Sequence, residues 1–365
     1  MIPRDLFQSY DKTLSYMKQL LGQYHPDFEL ESKARLVVEI EALKAQKNAI
    51  VLGHNYMEPA IYQTVADVTG DSLELCRKAA ETSAEIIVFC GVEFMAETAK
   101  IINPDRQVLI PSQKAGCSLA QSITAEDVRT LKKMYPGAPV VTYINTYADV
   151  KAETDICCTS GNAAQIVASL DTDAVIFIPD EYLAKNVARE TGKKIIFPIT
   201  DPKRGLLEGT HGPSTQSFGS GELERVFIGW HGKCEVHEKF TVSDIQRVRA
   251  QFPDVVVLSH PECSPDVVEA SDFSGSTSAM IKYVQNHKAP RYLLLTECSM
   301  GDNIMSANKD REILRLCSIR CPHMGQITLE QTRDALLYNQ YAVEVPEPIR
   351  SKARTSIERM LQVNA

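Results

Sequence analysis

No stretch of the chain stays apolar for long enough to cross a membrane. The longest uninterrupted runs, such as Ile86 to Val92, fall far short of the roughly 18 residues that a membrane helix needs. An excess of positive charge is missing as well. Thirty-nine Lys and Arg against 47 Asp and Glu leave a formal charge of −8, so nothing draws the whole molecule to nucleic acid or anionic lipid, and an anionic ligand must be caught locally. The opening residues, MIPRDLFQSYDKTLSYMKQL, lack a basic start followed by an apolar block and do not read as an export signal. The expected compartment is therefore the cytosol. Absent too is any cysteine pair spaced C-x-x-C, the usual mark of a structural zinc site.

What is present is ordinary globular composition, 44% hydrophobic and 24% charged over 365 residues, enough for two or three domains. Ten cysteines in a chain without an export signal call for an explanation other than a disulfide framework, because reducing compartments keep thiols free. Cys76, Cys90, Cys157 and Cys158 lie within apolar helix or strand patterns and read as small buried hydrophobes. Cys263 and Cys298 follow acidic residues at strand ends and stay open. Cys117, Cys234, Cys317 and Cys321 remain.

Internal repetition organises the chain. After a polar helical region, a strand at Asn48 to Gly53 ends in His54-Asn55-Tyr56; helices, the strands Ile86 to Cys90 and Gln107 to Pro111, and Gly116-Cys117 follow, with Ser72 opening the second helix. The same order recurs from Val140 through Tyr143 and Asn145, with Thr159-Ser160 opening a helix, to Cys234. A third pass runs from Val255 through His260-Pro261-Glu262 and the turn Ser274-Gly275-Ser276-Thr277 to the region of Cys321. The step from the polar strand end to the helix-opening hydroxyl is 18, 15 and 15 residues. Cysteine spacings of 117 and 87 differ mainly through an insertion, Asp201 to Glu224, rich in Gly, Ser and Thr. Alternating strands and helices imply parallel sheets with functional loops at the carboxyl ends of strands.

The expected fold is α/β, three homologous parallel-sheet domains in a pseudo-threefold arrangement around one centre. The first spans 1–117 with an N-terminal helical extension, the second 118–234 with the insertion 201–224, and the third 235–324; residues 325–365 are expected to pack back on the first.

Three thiolates on separate loops could bind zinc, although structural zinc sites have four protein ligands and close Cys pairs. Three Cys ligands suit a cubane iron–sulfur cluster that leaves one iron free as a Lewis acid. Helix-opening Ser and Thr are usually plain N-caps; in three equivalent places they also suggest anion sites, since helix N-termini bind phosphate and carboxylate. His54, Tyr56, Tyr143, Asn145, His260 and Glu262 would line a polar cavity, although a single His or Tyr at a strand end is more often structural than catalytic. His237, three residues after Cys234, is a candidate support for a metal ligand.

These residues fall in segments that resemble the quinolinate synthase family. The matching segments are GHNYMEP at 53–59, GDSLEL at 70–75, VFCGVEFMAETAKI at 88–101, AGCSLA at 115–120, TYINTYADVKA at 142–152, TSGNA at 159–163, GKCEVHEKF at 232–240, SHPEC at 259–263, GSTSAMI at 275–281 and CPHM at 321–324, running in order to IERML at 357–361. The resemblance implies a central 4Fe-4S cluster held by Cys117, Cys234 and Cys321, with one iron open. It implies that iminoaspartate condenses with dihydroxyacetone phosphate to give quinolinate, phosphate and water in the route to NAD. Substrate contacts would come from His54, Ser72, Tyr143, Asn145, Ser160, His237, His260, Glu262, Ser276 and Thr277. Glu262, His260, Tyr56 and Tyr143 would move protons. A transient contact with the enzyme that supplies iminoaspartate is also implied; nucleic acid and membrane partners are not. Many family members carry C-x-x-C before the last ligand, whereas Cys317 precedes Cys321 by four. Outside the resemblance, another iron–sulfur hydro-lyase or a zinc-binding scaffold would share some of these features.

Overall fold

The computed structural model describes residues 4–22, 25–172, 174–192, 194–196, 200–201, 205–206 and 226–363. Two helices, α1 (Tyr10–Leu21) and α2 (Asp27–Gln46), pack on each other ahead of the first sheet. That sheet has β1 (Ala49–His54), β2 (Val68–Gly70), β3 (Ile86–Cys90) and β4 (Gln107–Leu109) in the order β2-β1-β3-β4, all parallel, with α3 (Ser72–Glu81) and α4 (Glu93–Ile102) between strands. Every residue of β3 is buried, as its unbroken run Ile-Ile-Val-Phe-Cys requires, because a parallel strand covered on both faces has no polar side to show.

Helix α5 (Ala125–Met134) leads into a second sheet of β5 (Val140–Tyr143), β6 (Ile156–Cys158), β7 (Ala174–Ile178), β8 (Lys194–Ile196) and, after the short antiparallel pair β9 (Thr200–Asp201) and β10 (Gly205–Leu206), β11 (Val226–Ile228). The order is β6-β5-β7-β11-β8, parallel throughout. Helices α6 (Ala148–Ala152), α7 (Ala163–Ser169) and α8 (Glu181–Thr191) connect these strands. Apart from Asp201, Gly205 and Leu206, the insertion 201–224 lies outside the described residues. Beyond α9 (Val242–Gln251), β12 (Val256–Ser259) pairs in parallel with β13 (Phe273–Ser274) across α10 (Pro265–Ala270). After α11 (Thr277–Asn286), β14 (Arg291–Leu295) pairs in parallel with β15 (Glu312–Arg315) across α12 (Cys298–Ala307). The α/β reading with three sets of parallel strands holds.

Three aspartates show that the sets repeat one plan. The Asp67 carboxylate accepts the Val51 N–H at 2.7 Å, Asp155 that of Val140 at 2.8 Å and Asp272 that of Val257 at 2.8 Å. Each aspartate's own N–H returns to the same valine's carbonyl. A short side chain thus closes the helical crossover near the start of each first strand.

Two compact units result: residues 1–116 with 281–344, and residues 117–280 with 345–365. Helix α13 (Leu329–Tyr338) packs on α2 and β3 in the first unit, and α14 (Ile349–Gln362) on α6 and β6 in the second. One sequence expectation is corrected here. The thiols of Cys298 and Cys317 are not free but joined in a disulfide, Cα–Cα 5.2 Å. The chain had hidden this pair because α12 and the loop after β15, distant in sequence by 19 residues, meet only once β14 and β15 lie side by side.

Candidate active site

The same local device carries three of the eight free cysteines. Cys117, Cys234 and Cys321 follow β4, β11 and β15, and each is followed by a one-turn 3-10 helix, at Ala120–Ser122, His237–Lys239 and Met324–Gln326. Seven residues beyond each cysteine stands a threonine, Thr124, Thr241 or Thr328, which forms a capping box with Asp127, Asp244 or Gln331 and starts α5, α9 or α13. In all three the cysteine carbonyl accepts the N–H four residues on, at 3.0, 3.0 and 3.2 Å. The spacing C-x6-T-x-x-D/Q is legible in the chain and singles out Cys321 over Cys317, a signal that close cysteine pairs do not carry. The five other free cysteines are buried residues, whereas these three residues are of intermediate exposure.

In the second unit the chemistry gathers at strand ends. His237 Nδ1 lies 3.2 Å from Cys234 Sγ and 3.1 Å from Glu262 Oε2, and His260 Nδ1 lies 3.0 Å from that same oxygen. The two imidazoles stack, centroids 4.5 Å apart at 21°. His237, His260 and Glu262 are all buried. Burial works to raise the Glu262 carboxyl, but the two imidazoles outweigh it and hold it below the usual carboxylate range. Burial first, then the Glu262 charge, pushes the Cys234 thiol well above its ordinary value, and Cys117 adds to the rise. Cys117 is therefore near enough to be felt by Cys234. Ser118 Oγ donates to Glu235 Oε1 at 2.9 Å, tying the two cysteine loops directly. Gly232 lets its loop pass close to the strand end: a Cβ there would stand 2.5 Å from the Pro179 carbonyl.

Asn186, from α8, holds the loop that carries Glu262, its amide donating to the Pro261 and Cys263 carbonyls at 2.8 and 3.0 Å. Neither sequence pattern nor spacing marked it, because it comes from a helix remote in the chain. Asn186, Ser160, Gly161, Pro261 and Ser274 line a cavity of about 380 Å³. The Ser160–Gly161 turn approaches the Ser276–Thr277 turn, a Cβ on Gly161 falling 3.6 Å from Ser276 Oγ. Tyr143 ends β5 and is buried, and the Asn145 Oδ1 just beyond it is buried with no hydrogen-bond partner.

The plain reading of the helix-opening hydroxyls as caps holds for Ser276 but not for Ser72, Ser160 or Thr277. Asp71, not Ser72, caps α3, and Ser276 Oγ, not Thr277, accepts the Ala279 N–H at 3.3 Å. Ser72 and Thr277 occupy the first helical position. Ser160 lies in the turn before α7, whose N-cap is Asn162.

The first unit holds His54, Tyr56, Ser72 and Cys321. His54 ends β1 and meets Tyr56 edge to face at 4.7 Å; the Tyr56 hydroxyl bonds Thr296 Oγ1 at 2.6 Å. The adjacent Glu297 takes the backbone N–H of Ser299 at 2.6 Å and that of Cys321, while burial, the largest influence, lifts its carboxyl to about 7. Arg320 donates to Ser299 Oγ at 3.2 Å, and the Met324 N–H points at Cys321 Sγ at 3.5 Å. The cysteine loop is thus anchored to the start of α12 at several points.

A parallel α/β protein with a buried imidazole–carboxylate group at its strand ends, beside a free thiol, has the makings of an enzyme. The chain belongs to the family described as quinolinate synthetase A protein, whose family model matches residues 38–362. Quinolinate synthase 2 of Mesorhizobium japonicum is 50% identical over 338 residues, 93% of this chain and 94% of the relative. Quinolinate synthase of Agrobacterium fabrum is 50% identical over 327 residues, 90% of this chain and 85% of the relative. That of Xylella fastidiosa is 50% identical over 328 residues, 89% and 87% respectively. The chain is an enzyme of this family. Among the described residues no helix is long and apolar enough to cross a membrane.

Proposed function

We propose that the chain condenses iminoaspartate with dihydroxyacetone phosphate, giving quinolinate, phosphate and two waters, as a step in NAD biosynthesis. The observation that carries this reading, beside family membership, is the cysteine turn repeated three times, each with a free cysteine in the same place. Cys117, Cys234 and Cys321 would hold a 4Fe-4S cluster. Their donor set fits it: three thiols, with backbone N–H groups turned toward sulfur at Cys234 and Cys321, since such hydrogen bonds tune cluster potentials. When bound, the cluster supplies one iron without a protein ligand, a Lewis acid for a substrate oxygen or nitrogen.

The protein's own residues do the rest. Glu262, held ionised by His237 and His260, is the base that takes a proton, and its unpartnered Oε1 is the atom to receive it. Tyr56 and Tyr143 serve as further proton carriers at the strand ends. Ser72, Ser160, Ser276 and Thr277 bind carboxylate and phosphate oxygens beside helix starts, with His54 and Asn145 completing the polar lining. We read the chain as three domains, 1–117, 118–234 and 235–324, one for each cysteine turn. We place the protein in the cytosol, where most of its cysteines stay free and the Cys298–Cys317 bond is the exception; a passing contact with the enzyme that makes unstable iminoaspartate would shorten its exposure to water.

Anaerobic reconstitution with iron and sulfide, followed by assay of quinolinate from the two substrates, tests the reading. Cys117→Ser, Cys234→Ser and Cys321→Ser should each lose the brown absorbance and activity, and Glu262→Gln should keep iron and sulfide while turnover falls about a hundredfold or more. No quinolinate from the reconstituted wild type would refute the activity, and full cluster content in Cys321→Ser would refute the ligand set.

A further inference from the structure

Three kinds of metal-ligating atom meet at one point of the second unit. Cys234 sulfur, a His237 ring nitrogen and a Glu262 carboxylate oxygen all lie within 4.8 Å of one another. His237 Nδ1 is central, 3.2 Å from the sulfur and 3.1 Å from Oε2. That nitrogen carries at most one proton, which cannot serve both neighbours. Glu262 is only 3% exposed, and its Oε1 has no hydrogen-bond partner. A buried carboxylate with one oxygen unpaired, whose other oxygen faces a ring nitrogen shared with a thiol, is an arrangement a cation relieves.

We propose that Cys234, His237 and Glu262 form a binding site for a single divalent cation of the zinc class in the cluster-free chain. Sulfur and nitrogen donors select such a cation over calcium or magnesium. With ordinary zinc bond lengths, a tetrahedral site separates sulfur from nitrogen by about 3.6 Å and nitrogen from oxygen by about 3.4 Å, within a few tenths of an ångström of the observed gaps. Three protein ligands leave the fourth position open, the pattern of an accessible rather than a structural zinc site. His260, bonded to Glu262 Oε2, is the outer partner that orients the ligating carboxylate. The proposal stands apart from the cluster reading, although a cation here would use the sulfur that a cluster needs.

Titrating cluster-free, full-length chain anaerobically with cobalt(II), then displacing it with zinc, tests the site. One equivalent should bind with a thiolate-to-cobalt charge-transfer band, lost in Cys234→Ser. Binding should weaken about a hundredfold or more in Glu262→Gln and in His237→Gln, and 10- to 100-fold in His260→Ala, the range for loss of an outer partner. Cys117→Ser and Cys321→Ser should bind as wild type, which separates this site from a tri-cysteine one. X-ray absorption on the zinc form, independent of any variant's folding, should show one sulfur among nitrogen and oxygen neighbours. Two or three sulfurs, or unaltered affinity in both Glu262→Gln and His237→Gln, would overturn the proposal, as would failure of the wild type to bind.

Discussion

Ser118 and Glu235 follow the first two cysteines of the repeated turn, and the bond between them joins two loops that arrive from different strands. A hydrogen bond to a charged acceptor contributes on the order of 1.5–3 kcal/mol, and here it acts on the separation of Cys117 from Cys234. With Cys117 and Cys234 as ligands of the proposed cluster, Ser118→Ala should leave the fold intact and speed the loss of iron to a chelator by roughly tenfold, followed as bleaching of the reconstituted protein. An unchanged rate would mean that the backbone alone sets the loops. Residue by residue, much of this site was legible in the chain. His54, Tyr143 and His260 announce themselves at the ends of apolar runs, whereas Asn186 does not, because its role depends on which loop α8 happens to lie against.

Helix α8 begins with another buried group that the chain did not advertise. Asp180 caps it, accepting the Leu183 N–H at 2.6 Å through Oδ1, while Oδ2 is buried without a partner. Burial, reinforced by the charge of Glu262, raises its carboxyl well above the ordinary range. In the unfolded chain that group loses its proton near pH 4, so above this pH the unfolded state binds fewer protons than the folded one. Stability therefore falls as pH rises through the window between the two. Asp180→Asn keeps the cap and cannot ionise. Thermal unfolding should show it more stable than wild type by a few degrees at pH 8, with the gap closing as pH is lowered toward 5; equal values at both pH values would place an ionised aspartate in the folded state. Element boundaries followed from sequence where strands were continuously apolar. The caps did not, because Asp71 and Ser276 compete with neighbouring hydroxyls for the same backbone N–H groups, and only the local φ and ψ angles settle which one wins.

Across the whole molecule, the C-terminal segment divides its attachments. Helix α14 buries Ala353, Ser356, Ile357 and Met360 against the second unit, Ser356 Oγ donates to the Lys151 carbonyl at 3.1 Å, and Arg359 to that of Asp155 at 2.7 Å. Ile357→Ala should cost about 2–5 kcal/mol, the range for truncating a buried Ile, and deletion of residues 349–365 should cost more. Calorimetry checks both, and an unshifted unfolding temperature in the deletion would show that the helix only rests on the surface. Composition and periodicity by themselves determined the α/β class, the parallel sheets and the threefold repetition, since unbroken apolar strands alternating with amphipathic helices leave few other ways to bury both faces of a sheet. Tertiary structure alone decided the Cys298–Cys317 bond and the meeting of the Cys234–His237 turn with the His260–Glu262 loop. Those contacts join residues whose spacing along the chain carries no period, and only the folding of strand ends into common loops brings them within bonding distance.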